Sequence, residues 1–401
     1  MRIITRTIVI LSLVSLFADI ASEMLYPIIP VYLKEIGFSV FWIGVLEGVV
    51  NFTAGISKGY FGKRSDELGL RLPFVKLGYL LSALSKPLIG FFVAPVWIFF
   101  VRTLDRLGKG VRVAAKDAML SQEATKETKA RVFGFNRGLD TTGATIGPAI
   151  ALVFLLFYPG QYKTLFILAF IPGIISVLFL FLLKEKKQPV STLEKGNFFS
   201  FFKYWSIATP EYKKLVAGLL LFALFNSSDV FLLLKTKEAV GDKTIQLLGV
   251  EFTSDTITIA AYVFYNLVFA IGCYPLGVLA DKWGFKKVFL GGLFLFATVY
   301  AGFAFEPSIA AIFILFFVYG VYSAATDGVT KAWITNIAHQ HNTATAIGFY
   351  TSCQSICALL ASTIAGAIWT NFGSFFTFAS TALIALLVFL FFSMKIKARQ
   401  N

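Results

Sequence analysis

Two carboxylates in the first long apolar segment are the residues with the clearest chemical potential. Asp19 and Glu23 are one helical turn apart, so a helix places both on the same face. Removal from water disfavours the charged form of a carboxylate, and a second carboxylate nearby disfavours it further. Such a pair can load a proton from one side of a membrane and release it on the other. The alternative is that both are fixed partners of basic residues such as Arg102 or Arg137.

A second group of charges lies inside an apolar stretch at residues 102–112, which reads RTLDRLGKGVR. A charged side chain at the centre of a bilayer costs about 2.5–3.5 kcal/mol even on the lenient scale. These side chains must therefore face a watery cavity or pair with one another. One interpretation is a structural ion-pair ladder in which Asp105 and Lys109 are one turn apart. The other interpretation is that these side chains face a watery cavity, and the two are compatible.

Charges also interrupt other apolar segments, and more of them lie in the first half of the chain than in the second. This asymmetry predicts that the groups that couple proton binding to the movement of a small molecule lie mainly in the N-terminal half. The C-terminal half would then supply more of the pocket for that molecule. The predicted coupling network contains Asp19, Glu23, Glu47, Arg102, Asp105, Arg106, Arg137 and Asp140. The predicted pocket residues are Tyr26, Asn226, Asp229, Tyr262, Tyr265, Asn266, Tyr322, Asp327 and Gln354.

The composition predicts an integral membrane protein. Of 401 residues, 57% are hydrophobic, 45 are Phe and only 14% are charged, against about a quarter charged in soluble domains. A membrane-spanning helix needs about 20 mostly apolar residues. On that criterion we predict an all-α fold with about twelve spans, at residues 8–33, 41–62, 74–93, 96–115, 131–157, 163–184, 214–235, 256–280, 287–305, 307–334, 343–369 and 374–394.

The net charge of +14 is distributed in the short segments between spans. Roughly 23 basic residues fall on the side of the N-terminus and about five on the other side, which predicts that both termini are cytoplasmic. The basic balance is thus explained by membrane topology, and we expect no nucleic-acid partner. The long connection between the sixth and seventh spans predicts two six-helix bundles, at residues 1–184 and 214–401, with a cytoplasmic linker at 185–213.

The two halves share a sequence pattern. The second span ends in Gly62-x-x-x-Asp66-x-x-Gly69-x-Arg71, and the eighth in Gly277-x-x-x-Asp281-Lys282-x-Gly284-x-Lys286-Lys287, 215 residues later. Gly134-Phe135 and Gly348-Phe349 repeat at an offset of 214 residues. Two landmarks at nearly one offset predict a duplicated six-helix unit.

This loop resembles the signature of the major facilitator superfamily of secondary transporters, and the resemblance covers essentially the whole chain. The second copy matches fully, whereas the first has Glu67 where a basic residue is usual. The resemblance implies two pseudo-symmetric bundles around a central cavity, with the motif residues holding the halves together on the cytoplasmic side. It also implies that Arg106 corresponds to a fourth-span arginine that is associated with proton transfer.

The fifth span contains Gly143-x-x-x-Gly147-Pro148, which resembles a motif associated with exporters in the superfamily. The usual form ends in a further small residue, and Ala151 stands there. Gly-x-x-x-Gly allows tight helix contact, and Pro148 can bend the helix. The resemblance therefore favours export by antiport.

We predict a monomeric, proton-coupled transporter of the inner membrane that moves a small organic molecule, with export as the favoured direction. The cation-rich N-terminal half also suits uptake or exchange of an organic anion, which stays open. A membrane-embedded enzyme would need clustered catalytic residues on a polar loop, and the loops are short and mostly basic. The chain has no phosphate-binding Gly-x-x-x-x-Gly-Lys-Ser/Thr loop and no metal-ligand or cofactor pattern, so we expect neither enzymatic activity nor a cofactor.

Overall fold

The fold is described from a computed structural model that covers residues 3–26, 28–37, 40–158, 160–186, 197–241, 245–247, 250–252, 254–305 and 307–395. The first half of the chain contains α1 (Arg6–Leu25), α2 (Ile28–Glu35), α3 (Val40–Leu68), α4 (Leu72–Leu88), α5 (Pro95–Gln122), α6 (Lys129–Phe157) and α7 (Tyr162–Leu180). Between the halves lie a 3-10 helix (Phe198–Lys203) and the short α8 (Tyr204–Ile207). The second half contains α9 (Pro210–Ala223), α10 (Val230–Val240), α11 (Ser254–Trp283), α12 (Phe285–Ala304), α13 (Ile309–Ile337), α14 (Thr343–Phe372) and α15 (Ser374–Lys395). A second 3-10 helix (Gln340–Asn342) precedes α14, and a two-stranded antiparallel hairpin, β1 (Ile245–Leu247) and β2 (Val250–Phe252), joins α10 to α11.

Two helices of the second half begin at a side-chain cap. The hydroxyl of Thr209 accepts a hydrogen bond from the Tyr212 N–H, and Pro210 occupies the first position of α9, where its missing N–H costs nothing. Ser308 caps α13 in the same way through the N–H of Ala311. These caps fix where α9 and α13 begin.

Several spans differ from the predicted boundaries. The first predicted span is two helices, α1 and α2, and the seventh is also two, because the chain leaves the helix between Ala223 and Val230. In contrast, α5 continues to Gln122 rather than ending at 115, and α3 continues to Leu68 rather than 62. Hydropathy underestimates these two helices because their ends carry charged residues, and two of these, Asp66 on α3 and Asp117 on α5, bind groups on helices of the other half.

Eight helices in the described ranges are long and apolar enough to cross a membrane by length and composition: α1, α6, α7 and α11 to α15. The other four predicted spans correspond to α3, α4, α5 and the α9–α10 pair. These four do not meet the criterion of length and apolar composition. Charges interrupt α3 and α5, a break divides α9 from α10, and α4 is short, with 17 residues. Large apolar side chains on the outside of the bundles are exposed, as lipid-facing residues would be, for example Phe157 (76%) and Ile271 (67%).

The two halves meet along two helix pairs, α6 against α11 and α3 against α14. Small residues permit these contacts. A Cβ on Gly134 of α6 would meet the carbonyl oxygen of Cys273 on α11, and a Cβ on Gly348 of α14 would meet the carbonyl oxygen of Lys58 on α3. The two repeated glycines thus allow the same backbone approach at corresponding positions of the two pairs.

The described part of the predicted linker packs on the bundles. Phe201 is fully buried and lies against Gly59 of α3, while Phe199, two residues earlier, is exposed. At the start of the linker, the Glu185 carboxylate accepts hydrogen bonds from the N–H groups of Arg71 and Leu72, and so caps α4. Residues 187–196 of the predicted linker lie outside the described residues.

Candidate functional site: a charged interface and a central cavity

The first motif copy connects the two halves through hydrogen bonds to backbone groups. The Asp66 carboxylate at the end of α3 accepts hydrogen bonds from the N–H of Thr345 (2.7 Å), the hydroxyl of Thr345 (2.8 Å) and the N–H of Ala344 (3.4 Å). These N–H groups belong to the first turn of α14, where backbone donors lack partners within the helix. Arg71 completes the site with an ion pair to Asp66 at 3.0 Å.

The second copy makes the corresponding contact in the opposite direction. The Asp281 carboxylate of α11 accepts hydrogen bonds from the N–H groups of Ala130 (2.9 Å) and Arg131 (3.1 Å) in the first turn of α6. The Arg131 guanidinium adds a third hydrogen bond at 2.7 Å. Each half therefore caps a helix of the other half, and we call these two contacts the reciprocal caps and this end of the molecule the motif end.

The other motif residues have separate roles. Gly62 and Gly277 allow close backbone approach, to the carbonyl oxygens of Ala344 and Ala130 respectively. Gly69 (φ 62°) and Gly284 (φ 91°) form the turns that lead into α4 and α12, in a backbone conformation that other residues rarely adopt. Among the motif lysines, Lys286 donates to the carbonyl of Ser393, whereas Lys282 and Lys287 are exposed.

Next to the reciprocal caps, two ion pairs of opposite polarity cross between the halves. Arg137 of α6 pairs with Asp327 of α13 (Nε to Oδ2, 2.6 Å), and Asp117 of α5 pairs with Lys331 of α13 (Oδ2 to Nζ, 3.0 Å). Asp327 and Lys331 are one turn apart on α13. Sequence patterns assign Arg137 and Asp327 to different groups and do not select Asp117, since it falls beyond the predicted end of the fourth span.

Inside the N-terminal half, the charges of α5 are partly satisfied by α4. Asp105 accepts hydrogen bonds from Lys86 (2.8 Å) and Ser82 (2.6 Å), and the Arg102 guanidinium lies 3.9 Å from it. The partner of Asp105 is thus Lys86 rather than the Lys109 of the ladder interpretation. Arg106 acts electrostatically on this group, but its Nε has no hydrogen-bond partner among the described residues.

A second buried group connects α1, α4, α5 and α6. Lys116 donates to the hydroxyl of Ser15 at 2.7 Å, and its Nζ lies 3.7 Å from the Asp140 carboxylate. The Ser15 hydroxyl is 3.2 Å from the phenol oxygen of Tyr79, and the Arg112 guanidinium stacks over the Tyr79 ring at 4.1 Å. Asp140 thereby has Lys116 on one side and Arg137 (4.0 Å) on the other.

Asp19 and Glu23 lie on α1 where it contacts the exporter-like motif of α6. A Cβ on Gly143 would meet the Leu16 carbonyl oxygen and the Asp19 Cβ, and a Cβ on Gly147 would meet backbone atoms of residues 20–24. Among the described residues, neither carboxylate forms an ion pair or a hydrogen bond. The charges that act on Asp19 come from Asp140, Lys109, Glu23 and Arg112.

A cavity of about 210 Å³ lies between the crossing ion pairs and the broken seventh span. Apart from Arg137 its walls come from the C-terminal half. The lining residues are Arg137, Leu219, Phe222, Ala223, Asn226, Asp229, Tyr265, Phe269, Phe289, Tyr319, Tyr322, Ser323, Thr326, Asp327, Thr330, Lys331, Tyr350 and Gln354.

The far end of the cavity is built around Asp229. This residue precedes α10 but does not cap it; instead its carboxylate accepts hydrogen bonds from the hydroxyls of Tyr319 (2.6 Å) and Tyr265 (3.4 Å). Asn226, in the same break, donates to the Tyr322 hydroxyl at 3.2 Å. A break in a membrane helix beside a cavity is where transporters commonly bind substrate.

A family model described as the Major Facilitator Superfamily matches residues 11–249 and 244–400. The chain belongs to the major facilitator superfamily. It is 30% identical over 368 residues to an uncharacterised MFS-type transporter of Methanocaldococcus jannaschii, a match that spans 92% of this chain and 89% of that one. It is 28% identical over 142 residues to the multi-drug resistance efflux pump PmrA of Streptococcus pneumoniae, which spans 34% of this chain and 35% of the pump. The fold is that of the human organic anion transporter MFSD10, with a TM-score of 0.75 at 14% identity over 96% of this chain and 99% of that structure.

Of the predicted pocket residues of this superfamily member, Tyr26, Tyr262 and Asn266 lie outside the cavity lining. Tyr26 is 54% exposed at the end of α1, and Asn266 donates to the carbonyl of Tyr262 one turn earlier. Glu47 of the predicted coupling network lies on α3, but its side chain is outside the described part of the structure. The phenylalanines of the wall, Phe222, Phe269 and Phe289, are missed by sequence patterns, because Phe residues in a membrane helix carry no signal that separates cavity from lipid contact. In the described ranges no three His, Cys, Asp or Glu side chains lie together as metal ligands would.

Proposed function

We propose that the chain is a proton-coupled antiporter that exports a small organic molecule across the inner membrane by alternating access, with both termini and the motif end in the cytoplasm. The observation that carries the proposal is the position of Asp19 and Glu23. Both lie on the stretch of α1 that contacts Gly143 and Gly147, and neither has a bonded partner among the described residues. Carboxylates inside a bundle without fixed partners are suited to bind and release protons.

A coupling mechanism also needs a connection from the protonation site to the interface between the halves. Asp140 provides it, since it acts electrostatically on Asp19 and lies 4.0 Å from Arg137, which holds Asp327 in the other half. A proton on Asp19 or Asp140 removes a negative charge beside Arg137 and so changes the strength of the crossing ion pair. Opening the motif end requires both crossing ion pairs and both reciprocal caps to break.

The sidedness follows from the distribution of basic residues, which concentrate in the loops at the motif end. With that end in the cytoplasm, this conformation is closed toward the cytoplasm. Export is favoured by the glycine motif of α6 and by the resemblance of one third of the chain to an efflux pump. The gradient then drives protons in and cargo out.

Transport by proteoliposomes that contain a trapped pH indicator tests the proposal. Lipophilic cations, neutral drugs and organic anions are added outside in turn, and cargo entry is measured together with lumenal pH. Antiport predicts that cargo entry raises the lumenal pH, that Asp19→Asn and Glu23→Gln abolish the change, and that the exposed Glu211→Gln retains it. Cargo entry that lowers the lumenal pH, or leaves it constant, would contradict proton antiport.

A second candidate is uptake or exchange of an organic anion, and one observation favours it. Lys58, Arg106 and Lys109 act on one another electrostatically near the interface between the halves, and no ion pair contains any of them in the described part of the chain. A carboxylate cargo would neutralise this group. The same proteoliposomes distinguish the candidates, because anion exchange predicts entry of organic anions alone, and its loss in Arg106→Ala.

A further inference from the structure

The cavity has one end that is electrically different from the other, and this difference specifies a ligand. Along α13, Tyr319 lies at the Asp229 end and Lys331 at the motif end, a separation of twelve residues or about 18 Å at 1.5 Å per residue. At the motif end each cationic side chain is matched by a carboxylate, Arg137 by Asp327 and Lys331 by Asp117. At the other end stands Asp229, and no ion pair within the described ranges includes it.

The hydrogen bonds of Asp229 indicate that its carboxylate is charged and show which way its side chain is oriented. The partners, the hydroxyls of Tyr319 and Tyr265, both donate to the carboxylate oxygens, an arrangement that suits the charged form. Asp229 stands directly before α10, where an aspartate commonly caps the helix, yet its side chain makes no cap hydrogen bond. The carboxylate is directed instead into the cavity, with two aromatic rings held beside it by their own hydroxyls.

A carboxylate next to several aromatic faces is the environment that recognises an organic ammonium ion, because ring faces carry negative electrostatic potential and attract cations. The rings of Tyr265 and Tyr319 lie 5.0 Å apart between centroids, and those of Tyr319 and Tyr322 lie 5.3 Å apart. Phe222, at 6.3 Å from Tyr322, extends the same surface to α9. The wall is thus a continuous aromatic surface with one anionic group at its edge.

We propose that this cavity binds an organic cation, a tertiary or quaternary ammonium group carried on a small apolar body, with Asp229 as the counter-ion and the tyrosine rings as its cage. The proposal rests on the proposed function, for which it names the class of cargo. A volume of about 210 Å³ is below the 300–1,000 Å³ usual for drug-sized ligands. The cargo is therefore small, or enters with part of its body outside the cavity.

Three probes of similar shape and different charge test this inference by isothermal titration calorimetry on the detergent-purified protein at neutral pH. They are benzyltrimethylammonium, the neutral benzyl methyl sulfone and the anionic phenylmethanesulfonate. We expect the cation to bind at least about tenfold more tightly than either of the others, since it alone gains both the ion pair and the ring contacts. Equal binding of all three, or preference for the anion, would overturn the inference.

Variants assign the preference to the proposed residue. Asp229→Asn keeps the shape and an acceptor oxygen for the tyrosines but removes the charge, so the ratio of cation to neutral affinity should fall about tenfold or more. Glu211→Gln removes the same charge from an exposed position of α9 and should leave the ratio unchanged. A ratio that persists in Asp229→Asn would refute the assignment.

A further variant covers the case in which Asp229→Asn fails to fold. Tyr319→Phe keeps the ring and the carboxylate and removes one hydrogen bond, so the cation should remain the preferred probe; loss of preference there would also overturn the proposal. Calorimetry in detergent involves no proton gradient, so its result is independent of the proteoliposome assay. If the cation binds in the calorimeter but its entry into proteoliposomes does not change the lumenal pH, antiport is refuted and this inference stands. Proton antiport with anionic cargo alone would do the reverse.

Discussion

Removal of the Asp281 carboxylate should shift the equilibrium between closed and open states of the motif end. Asp281 is the sole described residue of the second half that caps α6, and Asp281→Ala removes three hydrogen bonds at once, to the N–H groups of Ala130 and Arg131 and to the Arg131 guanidinium. The crossing ion pairs and the Asp66 cap remain. The variant therefore weakens closure without abolishing it.

The size of the shift follows from the hydrogen bonds that the substitution removes. A hydrogen bond to a charged group contributes about 1.5–3 kcal/mol, and three that share one carboxylate do not add. In the open state the freed donors regain water, so we take about 2–3 kcal/mol as the net decrease in preference for closure. This corresponds to a roughly 30- to 150-fold rise in the ratio of open to closed molecules. Asp281→Asn retains one acceptor oxygen and should give a smaller rise.

Cys273 is a natural reporter of this equilibrium. It is 1% exposed on α11 and faces Gly138 of α6 across the interface, so a thiol reagent reaches it only when the halves separate. When opening and closing are fast relative to modification, the alkylation rate follows the open population. Peptide mass spectrometry after N-ethylmaleimide treatment gives the rate at Cys273, with the partly exposed Cys353 and Cys357 as internal references.

The control is Glu127→Gln, which removes a negative charge from the exposed loop before α6 and should leave the alkylation rate at Cys273 unchanged. Asp66→Ala removes the corresponding cap on the other helix pair. Under the proposed alternating access the halves move as units, so this variant should also accelerate Cys273 alkylation. A folded Asp281→Ala protein whose Cys273 is alkylated at the wild-type rate would refute the view that the reciprocal caps hold the motif end closed.

Three further predictions concern packing and buried charge. Gly147→Ala places a methyl group against the backbone of α1, so it should destabilise the protein by about 1–3 kcal/mol and reduce transport, as read by melting temperature and cargo flux. Arg137→Ala and Asp327→Ala should each raise Cys273 alkylation, and the double variant should fall short of the sum by about 1 kcal/mol if the pair is direct. Lys86→Ala leaves Asp105 buried without its closest cation and should cost about 3–5 kcal/mol of stability. The double change Lys86→Met with Asp105→Asn should recover most of that loss. An unaltered melting temperature in Lys86→Ala would contradict the ion pair.

The family and the layout of the helices are accessible from sequence because they depend on long apolar runs and on a repeated loop motif. The break in the seventh span is not predicted by hydropathy, since residues 214–235 contain enough apolar side chains to pass as one helix. A signal is present: Asn226, Ser227, Ser228 and Asp229 are four consecutive polar residues. Such side chains compete with the helix for backbone hydrogen bonds and favour a break.

The reciprocal caps can be anticipated only in part. Asp66 and Asp281 are selected by their motif, but their partners are backbone N–H groups of Ala130, Arg131 and Thr345, which carry no signature in the side-chain sequence. Likewise, an ion pair between residues on different helices depends on helix rotation, and spacing within one helix favours Lys109 for Asp105 over the more distant Lys86. Local spacing thus identifies charged residues, whereas pairing requires the packing of whole helices.

The reciprocal caps also bear on how a two-bundle chain could arise. Each bundle offers the other a carboxylate and receives one on a corresponding helix, so the contact is related to itself by a twofold rotation, as in an isologous dimer interface. A single six-helix unit carrying one copy of the motif would make the same contact twice on pairing with an identical unit. Fusion of two such units would require no new interface, and the two copies could then differ outside the caps, as Glu67 and Lys282 do at equivalent positions.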